Sequence, residues 1–155
     1  MYFGLSEEQK SLEENINRFL VDNASLDVIK AVANGDIEKA DEIHRGIIDL
    51  GLSGLVIPEE YGGLGLNMLF ATVVSAALGS GTAPVPFAGS YIMAPLAINL
   101  AGDDAQKNMW LPKIAGGECV IGVGLSEYVG AREDAGIEFS NGRLHGRSLF
   151  LIDGK

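Results

Sequence analysis

Few residues in this sequence have the type and setting to do chemistry. Glu59 and Glu60 are adjacent carboxylates inside residues 51–66, GLSGLVIPEEYGGLGL. A carboxylate pair can serve as acid and base when its surroundings push one pKa up. Nothing in the pattern supplies a partner for that, so the two read more simply as loop or cap residues. Cys119 is the only cysteine, which leaves no intrachain disulfide and no thiolate metal site. His44 and His145 are the only histidines and stand far apart, without the cluster that zinc or a catalytic triad needs. Five glycines in residues 51–66 permit positive φ and close backbone approach. They predict a shaped loop, although glycines that merely turn corners between helices would give the same composition.

The elements around these residues are helical first and extended last. Ser6 with Gln9 makes a capping box, followed by Leu12, Ile16, Phe19 and Leu20 at helical spacing, so a helix is expected from Ser6 to about Asp22. Ser25 opens a second, with Leu26, Ile29 and Val32 inward. Asp36 caps a third that places Ile37, Ala40, His44, Ile47 and Leu50 on one face. Asn67 begins a helix apolar nearly all round through Leu78, which predicts burial on several sides. Pro84 and Pro86 lead into a helical stretch, 87–101, that Pro95 should kink or divide. Asp103 with Gln106 caps the last helix, 104–115, closed by Gly116 and Gly117. From Glu118 the period changes to that of strands: 120–125, a hairpin about Asn141-Gly142, and 149–152.

Length and charge bound the function. The 155 residues fit one domain, or one domain and part of another, and the apolar fraction of 47% argues against disorder. A net charge of -10 makes nucleic acid and anionic membrane surfaces poor partners. Residues 61–102 carry no charge, but glycines and prolines interrupt them, and the cleanest run, 69–78, falls far short of the roughly 20 residues of a spanning helix. No membrane span is expected. The N-terminus lacks a basic region followed by an apolar core, so a cytoplasmic location is expected.

The stretch Val56-Ile57-Pro58-Glu59-Glu60-Tyr61-Gly62-Gly63-Leu64-Gly65-Leu66, between a helix ending at Leu50-Gly51-Leu52 and an apolar helix, resembles the N-terminal part of the acyl-CoA dehydrogenases. Leu5-Ser6-Glu7-Glu8-Gln9, Trp110-Leu111-Pro112-Lys113-Ile114, Gly116-Gly117-Glu118, Asn141-Gly142 and His145-Gly146 follow the family's order. The resemblance implies a mainly α chain, with a helical bundle over residues 1–117 and the first strands of a middle β domain over 118–155. It implies a fragment or truncated product, because the C-terminal helical domain has no counterpart. In the family FAD accepts a hydride from the β carbon of an acyl-CoA while a glutamate, usually in the C-terminal domain, removes the α proton. No catalytic base is therefore assigned to this chain.

The resemblance also implies contacts. Flavin would be met by backbone groups of Val123 and Leu125 and by the Ser126 hydroxyl, at the position of a family threonine, although the proline, glycine and later serine of that motif are replaced here. Phe150 and Ile152 fall where relatives have an aromatic-Ile-Thr strand that packs on the flavin and bonds it; isoleucine cannot supply that hydrogen bond, so flavin binding by this chain is expected to be weakened. Plain strand core is the alternative for both. Gly89, Ser90 and Met93 correspond to a helix lining the acyl pocket, where small Gly89 and Ser90 would leave room for a bulky acyl group; core packing is the alternative for Met93. Three functions follow: an FAD-dependent acyl-CoA dehydrogenase, a non-catalytic partner subunit of a heteromeric steroid-side-chain dehydrogenase, or a helical interaction module. All three imply a homo- or hetero-oligomer.

Overall fold

The computed structural model describes residues 4–124, 136–148 and 151–154. Helix α1 (Glu7–Asn23) starts where expected. Ser6 Oγ accepts the Gln9 N–H at 3.2 Å and Gln9 Oε1 accepts the Ser6 N–H at 2.9 Å. It lays Ile16 and Leu20 against α4 (Met68–Ser80). Helices α2 (Leu26–Ala33) and α3 (Ile37–Asp49) pack on each other, the second capped by Asp36.

Two expected inward residues lie outside. Leu26 is 68% and Ile37 72% exposed. The packed stripes pass through Val28, Ile29 and Val32 on α2 and through Ile43 and Ile47 on α3. At 3.6 residues per turn, Leu26 and Ile37 sit about 100° to 115° round from those stripes. Helix α4 also departs from expectation. Ala71, Val73, Val74, Ala77 and Leu78 are buried, whereas Leu69 is 66% exposed, so an all-round apolar sequence packs on one side only.

Residues 51–66 form a bracket rather than a linker. Two single 3₁₀ turns, Leu52–Gly54 and Glu59–Tyr61, are folded back on each other by N–H bonds from Leu64 to Gly54 O (2.9 Å), Gly65 to Ile57 O (2.8 Å) and Leu66 to Leu55 O (2.9 Å). Leu52, Leu55 and Ile57 enter the core, and a Cβ at Gly63 would collide with the Ile57 carbonyl. Buried Ser53 donates its hydroxyl to Ala115 O at 2.7 Å, tying the loop to the end of α6 (Asp104–Ala115).

Between α4 and α6 the chain makes a π-helical segment, Phe87–Met93, that runs into α5 (Ala94–Ala101). Pro95 lies in the first turn of α5, where its missing N–H fits the change of hydrogen-bond register. The core joins α1, α3, α4, the bracket, the π segment and α6 through Ile16, Ile43, Ile47, Leu55, Val74, Tyr91, Leu111 and Ile114.

The described strands are β1 (Val123–Gly124), β2 (Gly136–Ser140), β3 (Arg143–Arg147) and β4 (Leu151–Ile152). β2 and β3 form the expected hairpin, with Asn141 and Gly142 both at positive φ, as a two-residue turn of the right twist requires. β1 pairs antiparallel with β4, Val123 opposite Ile152 and Gly124 opposite Leu151. The architecture is mainly α, with short strands after the helices.

Candidate functional site

The β1–β4 ladder and the start of the π segment meet at one place, and chain-distant hydrogen bonds join them. Asp153, directly after β4, accepts the Gly89 N–H at 2.6 Å and the Ser90 N–H at 3.2 Å on a single carboxylate oxygen. Buried Ser90 turns its hydroxyl the other way, donating to Ile121 O at 3.0 Å and accepting the Ile121 N–H at 3.1 Å. The π segment thus holds the approach to β1 with one side chain and the exit of β4 with two backbone donors.

The expected site residues divide accordingly. Val123 and Ile152 stand opposite each other, Ile152 37% exposed. Leu125, Ser126 and Phe150 lie outside the described residues. Gly89 and Ser90 are buried, and Met93 is half-buried at the end of the π segment. The space a side chain would need at Gly89 is taken by Asp153 Oδ2 and Ile152 O, 2.7 and 2.9 Å from an ideal Cβ, so the chain itself fills it.

Beside this junction Tyr91 is wholly buried, with its hydroxyl in a hydrogen bond to the His44 ring and the two rings stacked at 5.8 Å. Burial pushes the Tyr91 phenol up to about 12, and the charges of Cys119 and Asp153 act in the same direction. His44, Asp41 and Asp153 line a cleft of about 380 Å³ whose walls include Pro84, Val85 and Pro86. A wider apolar groove of about 740 Å³ runs between α5, α6 and residues 119–122, edged by Trp110 and Cys119. Burial pushes the Cys119 thiol up, against the pull of Lys113, which favours the unreactive protonated form. Glu59 and Glu60 are exposed on the bracket. Among the described residues no group of three His, Cys, Asp or Glu side chains is arranged for a metal.

Sequence reasoning missed Asp153 and the His44–Tyr91 pair. Nothing in the residues around Asp153 announces a partner 64 positions away.

Residues 6–118 match the model of the acyl-CoA dehydrogenase N-terminal domain. The chain belongs to the acyl-CoA dehydrogenase family. It is 46% identical over 79 residues to (2S)-methylsuccinyl-CoA dehydrogenase of Cereibacter sphaeroides, covering 50% of this chain and 14% of that protein. Mitochondrial isovaleryl-CoA dehydrogenase of Pongo abelii is 29% identical over 128 residues, 80% of this chain and 30% of the relative. Among solved structures, the Tcur3481-Tcur3483 steroid ACAD superposes with a TM-score of 0.77 at 25% identity, over 94% of this chain and 41% of that one. The chain therefore spans less than half the length of these acyl-CoA dehydrogenases.

FAD is the cofactor that this family implies. Its fit can be judged at the described edge, where β1 and β4 offer backbone groups and the aliphatic side chains of Val123 and Ile152. Such an edge can wall a flat apolar ring. It provides no side-chain donor at position 152, where the family resemblance leads to the expectation of a hydrogen bond to the ring.

Proposed function

We propose that this chain forms the helical wall and first cofactor-facing strands of an acyl-CoA dehydrogenase, whose intact form carries out FAD-dependent α,β-desaturation of an acyl-CoA thioester. In this reading residues 1–117 are the helical domain and 118–155 the opening of the β domain. Val123, Leu125, Ser126, Phe150 and Ile152 are assigned to the cofactor; Gly89, Ser90 and Met93 are assigned to the acyl wall, Gly89 and Ser90 supporting it from behind, since Asp153 and Ile152 O fill the space at Gly89 and the Ser90 hydroxyl is bonded to Ile121. The observation that carries it is the junction itself: Val123 is paired with Ile152, and the next residue is bonded to Gly89 and Ser90. Residues assigned separately to cofactor and substrate meet there, as hydride transfer between the two would require.

The chain's part is to bind and orient, and the α-proton base is assigned elsewhere. The test is to incubate the protein with branched, straight and steroid-side-chain acyl-CoA thioesters and an electron acceptor, and to analyse the products by mass. Conversion of one class to its enoyl-CoA is the expected result; no product with any class, in the presence of added FAD, overturns the reading.

A second reading is favoured by Ile152 and by the structural likeness to a steroid ACAD whose designation pairs two components. Here the chain is a partner subunit, and flavin is held by another polypeptide. Co-purification with a flavin-containing subunit supports it, and a yellow, active homo-oligomer excludes it.

A further inference from the structure

Asp153 lies between the two halves of the candidate site and touches both. Its backbone is in the left-handed region at φ 55, a conformation that is unfavourable for most side chains and that Asp and Asn tolerate best. That turn ends β4 and sends the carboxylate back to the π segment, where one oxygen receives the N–H groups of Gly89 and Ser90 at 2.6 and 3.2 Å. These donors lie in the first turn of the segment, and a charged acceptor gives them stronger bonds than a neutral one. Gly89 is matched to the carboxylate, since a Cβ there would stand 2.7 Å from Oδ2. Ser90 supplies the opposing tie to Ile121, two residues before β1. Both strands of the ladder are thus fixed to the helical wall at Ser90, and β4 at Gly89 as well.

We infer that Asp153 is a positioning residue, which sets the distance between the cofactor-facing strand at Ile152 and the acyl wall at Gly89 and Ser90. This rests on the reading of those two surfaces given above. Asp153 acts through the backbone it holds, one carboxylate oxygen being engaged by the Gly89 and Ser90 N–H groups. Loss of the carboxylate would let β4 shift relative to the wall, leaving each surface intact but wrongly spaced. Misplacement of this kind slows a transfer step far more than it weakens ground-state binding.

Two substitutions separate this role from general support of the fold. Asp153→Gly suits the positive φ and removes the acceptor, so backbone strain falls while the tie is cut. Asp153→Asn keeps an oxygen for the same two donors and the same tolerance of that φ. In the flavin-containing protein, measured with its turned-over acyl-CoA, Asp153→Gly is expected to lower kcat by about 10- to 100-fold with KM within about threefold. Flavin content per protein stays at the wild-type level. Asp153→Asn is expected to recover kcat to within about threefold of wild type, because the geometry is restored. A kcat unchanged in Asp153→Gly overturns the inference, as does a loss that Asp153→Asn fails to rescue. If the wild-type protein neither carries flavin nor turns over any acyl-CoA, the functional reading fails first, and that is seen before any variant is made.

Discussion

Tyr91 shows at the residue scale how a buried group records its surroundings. Its ring fills the core, its hydroxyl meets His44, and its phenol holds its proton up to about 12, against about 10 for an unfolded tyrosine. Between those values the native state binds more protons than the unfolded one, so this contribution to stability is complete below about pH 10 and falls as pH rises toward 12. Tyr91→Phe should remove the alkaline part of that dependence and cost about 1 kcal/mol at neutral pH, through loss of the His44 bond. Urea unfolding of both proteins at neutral pH and near pH 11 checks this; parallel pH curves for the two would contradict it. The exposed Glu59 and Glu60 make the opposite case. Their adjacency suggests acid–base chemistry on paper, yet both side chains stand in solvent on the bracket.

At the scale of elements, the parts legible in the sequence are those decided within three or four residues. Ser6, Asp36, Asn67 and Asp103 cap their helices as read, and Asn141-Gly142 turns its hairpin. Pro95 marks a real junction, but its form, a π segment joined to an α-helix, depends on packing that no local pattern encodes. Helix faces were legible except in the first turn: Ile47 faces inward, Ile37 outward, because a first turn need not share the packed stripe. The bracket after α3 shows why the glycine count alone is ambiguous. Its glycines allow chain to pack on chain, which predicts that Gly63→Ala is destabilising by about 1–3 kcal/mol through collision with the Ile57 carbonyl. A lower urea midpoint at unchanged slope would record that loss; an unchanged midpoint would mean the loop relaxes freely.

For the whole molecule, family and layout were legible while the site's assembly was not. The bonds that make the site join residues 64 and 31 positions apart, Asp153 to Gly89 and Ser90 to Ile121. No periodicity foretells them. The described surface also carries apolar residues that call for cover: Leu100 is 82%, Leu144 72% and Phe139 71% exposed, the last two opposite each other on the β2–β3 hairpin. This favours the oligomeric setting proposed for the chain, in which an acyl-CoA dehydrogenase wall meets further sheet. No helix among the described residues is long and apolar enough to cross a membrane. The measurement that bears most directly on the proposed function is a visible absorption spectrum of the purified protein, taken with its intact mass and repeated after anaerobic addition of acyl-CoA. A flavin band that bleaches on addition is expected, carried by this polypeptide or by a subunit that co-purifies with it. A colourless preparation, with no flavin on any polypeptide and no spectral response to acyl-CoA, would contradict the proposed function.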